Sequence, residues 1–220
     1  LTHKNIVSNV LACAPSLPVD HTHRSLSFLP LCHSFERVVS YIYMVAGASI
    51  YYAESMETIG ENIKEVQPHF FTAVPRLMEK VYDKILAKGR EQTGIKKKLF
   101  FWALELGMQY KETGNSPWYN FRLGIARKII FSKWQAALGG NVVGIVTGAA
   151  ALQPRLATVF NAAGIPVREG YGLTETSPVV AFNRFNDTDF RIGTVGPPIN
   201  GVEIKIDPKN GELLVRGPNI

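Results

Sequence analysis

Apolar residues along this chain switch repeatedly between a helical spacing and short continuous runs. Asn5 to Ala14 repeats as a helix and is stopped by Pro15 and Pro18, ahead of an apolar run, Leu26 to Leu29, that reads as a strand. Val38 to Val45 predicts a buried helix, and Ala48 to Tyr52, with its β-branched and aromatic content, predicts a buried strand. Met56, Ile59, Ile63 and Val66 recur at helical spacing before another short strand, Phe70 to Val74. Pro75 suits a first helical turn. Behind it Leu77, Met78, Val81, Tyr82, Ile85 and Leu86 form one stripe, opposite Lys80, Asp83 and Lys84.

The alternation pauses after a polar break from Gly89 to Gly94. Leu99, Trp102, Ala103, Leu106 and Tyr110, then Leu123, Ala126, Ile130 and Trp134, predict a helical insert over about 90–138. Val142 to Val146 resumes as a buried strand, followed by a small-residue loop, a helix opened by Pro154 and stopped by Gly164, and a strand from Ile165 to Arg168. Such a strand, helix, strand unit implies parallel pairing with a right-handed crossover. The loops Thr147 to Gln153 and Glu169 to Ser177 then share the sheet end at which ligands of open α/β sheets bind. Gly193 to Gly201 reads as a linker, and Val202 to Ile206 and Glu212 to Arg216 flank the turn Pro208 to Gly211 as a hairpin. The expected architecture is α/β: mainly parallel sheet with flanking helices over 1–192, then a linker and the start of a β region over 193–220.

Composition narrows the class. With 46% hydrophobic and 19% charged residues the chain can bury a core and lacks the bias of disordered sequences. The net charge of +6 is spread along the chain except at Lys96, Lys97 and Lys98, which suits anionic ligands but not a dedicated nucleic-acid binder. The two cysteines, Cys13 and Cys32, have neither zinc-site spacing nor disulfide density, and no apolar run reaches the length of a membrane span. A cytoplasmic protein is the expectation. The basic and aromatic stretch Lys96 to Lys111 leaves two readings, core packing and peripheral contact with the inner face of a membrane. Leu1 is not an initiator methionine, so the natural amino terminus is expected elsewhere.

The densest chemistry is Glu169, Gly170, Tyr171, Gly172, Leu173, Thr174, Glu175 and Thr176. Glycines let backbone approach a planar base, Tyr offers a stacking face, a Thr hydroxyl can bond phosphate, and a Glu carboxylate can ligate Mg²⁺. By composition alone the run is equally a flexible turn.

This octapeptide resembles the adenine-binding signature of the AMP-forming acyl-CoA synthetase superfamily, which includes luciferases and adenylation domains. Thr147, Gly148, Ala149, Ala150, Ala151 and Leu152 resemble that family's other adenine-side loop. Leu1 to Asn5 resembles the segment following its phosphate-binding loop, Leu29 to His33 its next motif, and Gly211 to Gly217 a later one. Val74 to Leu77, Tyr82 to Lys84 and the helical insert look most like the long-chain fatty acid branch, in a bacterial form. The resemblance implies an internal fragment of the enzyme's N-terminal domain.

It further implies ATP and Mg²⁺ as cofactors, coenzyme A as co-substrate and a fatty acid as substrate. Tyr171 would stack on adenine in a slot shaped by Gly148, Ala149, Ala150, Glu169, Gly170, Gly172 and Leu173. Thr174 would contact phosphate, Glu175 would hold magnesium, and His33 would sit near the acyl carboxylate. Some members carry a gating Trp four residues after that His; here the position is Arg37. The phosphate loop is expected before Leu1, and a ribose-binding Asp, a hinge and a catalytic Lys after Ile220, so residues 1–220 alone are expected to be inactive. Two alternatives stay open: an acyl-AMP ligase that loads a carrier protein, and a non-catalytic nucleotide-binding homologue. Asp20, His21 and His23 read as a polar loop, because no further ligands follow at metal-site spacing. Acyl chain length and oligomeric state are not legible.

Overall fold

The computed structural model describes residues 1–186 and 188–220. Helix α1 (His3–Cys13) opens on a reciprocal cap: Thr2 Oγ1 accepts the Asn5 amide at 3.3 Å, and Asn5 Oδ1 accepts the Thr2 amide at 2.9 Å. Strand β1 (Arg24–Ser27) leads to α2 (Ser34–Ala46), which stops at Gly47 in a left-handed conformation (φ 72°). There follow β2 (Ser49–Tyr52), α3 (Ile59–Val66), β3 (Phe70–Ala73) and α4 (Pro75–Glu91), with Pro75 in the first turn. The insert comprises α5 (Gly94–Met108), α6 (Pro117–Ala126), a π-helical segment (Arg127–Phe131) and α7 (Ser132–Ala137). Next are β4 (Gly144–Thr147), α8 (Pro154–Ala162), β5 (Val167–Gly172), a 3₁₀ turn (Thr174–Thr176) and β6 (Val179–Phe182). A hairpin of β7 (Glu203–Ile206) and β8 (Leu213–Arg216) ends the chain.

The main sheet has six strands in the order β2-β1-β3-β4-β5-β6. All neighbours pair in parallel except β5 and β6. Adjacent residues of one strand serve opposite cores: Phe71 and Ile145 face the cluster built on α3 to α8, whereas Phe70 and Val146 face the side of α1 and α2. That is why these strands read as continuous apolar runs rather than as alternating ones. The hairpin packs Ile204 and Val215 beside Val10 of α1.

Several elements differ from the sequence reading. β2 is an edge strand with Ser49, Tyr51 and Tyr52 exposed, not a buried one, because it pairs only with β1. Gly89 is not a break; it lies buried inside α4, where a Cβ would stand 2.1 Å from the Phe100 ring. Glu169 to Gly172 is strand rather than loop, held so by its antiparallel partner β6, which the sequence did not reveal. In α5, Phe100, Ala103 and Leu106 pack in the core while Lys96 to Lys98 stay exposed. No helix among the described residues is long and apolar enough to cross a membrane.

Candidate functional site

Parallel pairing puts the carboxyl ends of β1, β3, β4 and β5 along one edge of the sheet. A cavity of about 460 Å³ lies there. Leu29 and Pro30 after β1, Val74 after β3, Gly148 and Ala149 after β4, and Gly170 to Thr174 at the end of β5 all border it. Its remaining wall includes Leu17 beyond α1, Phe35, Val39 and Ile42 of α2, and Val179 and Phe182 of β6, so it is mostly apolar. Cys13 also borders it, but burial pushes the thiol up to about 12, with Arg184 opposing, so it remains a neutral thiol.

The two loops that resemble adenine-side motifs are tied together. Leu152 N–H donates to Glu169 Oε1 at 2.9 Å, which straps the loop after β4 onto β5. Burial raises the Glu169 carboxyl above its ordinary value, and the Leu152 bond opposes the shift. Ala149 holds a left-handed backbone (φ 68°) in that loop, a conformation costly for a residue with a Cβ. The turn after β5 is equally determined. Thr176 Oγ1 accepts the Leu173 amide at 3.0 Å, and Asn9 on α1 grips Val179 through its Nδ2 (2.8 Å) and Oδ1 (3.3 Å).

Gly148, Ala149, Gly170, Tyr171, Gly172, Leu173, Thr174 and His33 therefore meet around one cavity. Ala150, Glu169 and Glu175 do not border it. Ala150 and Glu175 are exposed, and Glu175 makes no hydrogen bond or ion pair among the described residues. His33 is exposed at the N-cap of α2 without a capping side-chain bond. The glycines differ in what they serve. A Cβ on Gly172 would stand 2.0 Å from the Pro178 carbonyl oxygen, so the chain's own packing requires glycine there. A Cβ on Gly148 would lie at ordinary contact distance, 3.4 Å from the Gly170 carbonyl oxygen and 3.5 Å from the Phe35 ring.

Glu36, on α2, lies outside the sequence reading, in which the apolar run begins at Val38. It is wholly buried and borders the cavity. Ser27 Oγ donates to its Oε1 at 2.5 Å, and Thr72 Oγ1 donates to its Oε2, so one carboxyl joins α2 to β1 and β3. Burial raises its pKa against both hydroxyl bonds. The one legible signal was a carboxylate three residues beyond His33 at the start of an apolar helix.

A second, smaller recess of about 280 Å³ adjoins the first and shares His33, Ser34 and Thr174 with it. Ser177 borders this recess, wholly buried, with its hydroxyl lacking a hydrogen-bond partner among the described residues; the same is true of the Thr147 hydroxyl at the end of β4. Asp20 and His23 form a polar turn, in which the Asp20 amide donates to His23 Nδ1 at 3.1 Å. No group of three or more His, Cys, Asp or Glu among the described residues could hold a metal ion.

A mainly parallel sheet covered by helices, with glycine-rich turns around an apolar cavity at its carboxyl edge, is the α/β arrangement in which ligands bind beyond the strand ends. A family model described as AMP-binding enzyme matches residues 1–220, and the chain belongs to that family. Among curated relatives it is 32% identical over 223 residues to the long-chain-fatty-acid–CoA ligase FadD15 of Mycobacterium bovis, covering 99% of this chain and 36% of the relative. It is 34% identical over 245 residues to fatty acyl-CoA synthetase A of Dictyostelium discoideum, covering 100% of this chain and 34% of that protein. The chain thus spans about a third of the length of these relatives. Among solved structures, a long-chain-fatty-acid-CoA ligase of Archaeoglobus fulgidus matches with TM-score 0.66 at 19% identity, over 100% of this chain and 39% of that one. The o-succinylbenzoate coenzyme A synthetase of Bacillus subtilis, solved with ATP and magnesium ion, matches with TM-score 0.65 at 19% identity, over 100% of this chain and 38% of that one. At those identities the likeness shows the fold.

Proposed function

We propose that the protein containing this chain activates a long-chain fatty acid with ATP and transfers the acyl group to coenzyme A. The observation that carries the reading is the meeting of the Thr147–Leu152 loop and the Gly170–Thr174 segment on one mostly apolar cavity, which in this reading holds both the base and the acyl chain. A carboxylate cannot expel oxide, so the acid must first be given a better leaving group. Its oxygen attacks the α-phosphorus of ATP, the bond to the pyrophosphate oxygen breaks with its electron pair leaving on pyrophosphate, and an acyl-adenylate remains. The coenzyme A thiolate then displaces AMP.

In this reading the chain mainly positions and neutralises. Tyr171 stacks on adenine, with Gly148, Ala149, Gly170 and Gly172 leaving room beside it; Ala150, Glu169 and Leu173 support the slot. Thr174 bonds a phosphate oxygen, and His33 lies between the two recesses, where the acyl carboxylate would meet the nucleotide. Magnesium, when bound, would offset charge on the phosphates. A single exposed carboxylate, Glu175, suits it, since Mg²⁺ takes one or two carboxylates and completes its shell from phosphate and water. The division at 192/193 and a peripheral membrane contact belong to the same reading; the exposed Trp118, Phe121, Ile125 and Ile129 support the latter.

The test is fatty-acid-dependent exchange of labelled pyrophosphate into ATP by the protein with its flanking segments. Exchange, followed by thioester formation on adding coenzyme A, is expected. No exchange with any fatty acid would refute the reading.

A further inference from the structure

Arg37, four residues after His33, borders the smaller recess with it. The polar part of the recess wall is Arg37, His33, Ser34, Thr174 and Ser177; Leu1, Ile6, Cys32 and Val38 complete it, and no acidic side chain contributes. Arg37 is held from one side only: its Nε donates to the Leu31 carbonyl at 3.0 Å, and its terminal nitrogens have no partner among the described residues. Its own helix, α2, is 13 residues long and its N-cap residue, His33, makes no side-chain cap bond, so its first-turn amides keep their hydrogens available beside the recess. Ser177 adds an independent sign of a missing ligand. Its hydroxyl is buried and unpartnered, an arrangement that persists in folded proteins chiefly where something else completes it.

We propose that Arg37 binds the departing pyrophosphate of ATP, in an anion site it forms with Ser177, Thr174 and the first turn of α2. The inference rests on the acyl-adenylate reading and names a residue that reading leaves idle. As the bond between the α-phosphorus and the bridging oxygen breaks, negative charge grows on pyrophosphate, and the guanidinium, which keeps its proton throughout, offsets it. Thr174 is shared with the larger cavity, so the α-phosphate and the leaving group would sit on its two sides.

The experiment compares wild type, Arg37→Gln and Arg37→Lys in the full protein, with inorganic pyrophosphate as the probe. Loss of a charge-assisted bond predicts roughly a ten- to hundredfold weaker inhibition by pyrophosphate and a similar rise in KM for ATP in the Gln variant. KM for fatty acid and for coenzyme A should hold within about twofold, and Lys should recover part of the loss, since charge is kept without the planar fork. Unchanged pyrophosphate inhibition overturns the proposal. A change confined to fatty acid KM or chain-length preference overturns it in favour of gating, and one confined to coenzyme A KM overturns it in favour of the coenzyme's own phosphates. Direct calorimetric binding of inorganic pyrophosphate to wild type and Arg37→Gln decides the point even if no fatty acid supports exchange, a result that would sink the acyl-adenylate reading alone.

Discussion

Glu169 Oε1 accepts the backbone amide of Leu152 at 2.9 Å, and through that one bond the loop after β4 is fixed to the strand beside it. Both segments border the larger cavity, so the bond sets the width of the proposed base slot from behind. Glu169→Ala is expected to cost about 1 kcal/mol of stability and to weaken ATP binding several-fold. Glu169→Gln, which keeps an acceptor, should do neither. Thermal unfolding and nucleotide titration of the three forms check this.

Glu36 predicts a pH dependence with a definite sign. Burial raises its folded-state pKa above the ordinary 4.5, so the folded state holds the proton more tightly than the unfolded one. The stabilising contribution is fully present below 4.5 and is lost as pH rises through the raised value. Glu36→Gln should flatten the melting temperature across that window and leave the variant at least as stable as wild type above it. Melting curves of both forms from acid to neutral pH measure the difference. Parallel curves would show that Glu36 does not titrate there.

The glycines of the site should separate folding from binding. Gly172→Ala forces a methyl to 2.0 Å from the Pro178 carbonyl oxygen, backbone that cannot yield, and is expected to destabilise by about 1–3 kcal/mol or more. Gly148→Ala meets only ordinary contacts and should fold normally while narrowing the slot. Its effect should appear as a higher KM for ATP rather than a lower melting temperature.

Glu175 stands apart, exposed and unpartnered among the described residues. Glu175→Ala should leave unfolding within about 0.5 kcal/mol of wild type yet lower adenylation by roughly a hundredfold and abolish the normal magnesium dependence. Pyrophosphate exchange measured against magnesium concentration tests the assignment; retained exchange would remove Glu175 from the metal site.

Much of this was legible in the chain itself, because helices and buried strands advertise themselves through local spacing. Pro75 and Pro154 open helices, Gly164 closes one with left-handed backbone, and the apolar runs Phe70 to Val74 and Val142 to Val146 became central strands. The segment Glu169 to Thr176 was likewise visible as a concentration of glycines and polar side chains, and Gly170 to Thr174 border the larger cavity.

What the residues in order could not supply was partnership between distant segments. β6 exists as strand because β5 lies beside it, and β2 is exposed because no strand covers its outer edge; neither condition is written in four local residues. Glu36 looked like an ordinary polar start to a helix until folding set it between Ser27 and Thr72, 9 and 36 residues away. Ser177 and Arg37 are neighbours of one recess only because α2 and the turn after β5 converge there. Spacing along the backbone determines the helices, since their hydrogen bonds join residues close in the chain, whereas strand ladders join segments far apart in it. Which side chains share a pocket is decided by packing, which acts between residues the sequence keeps far apart.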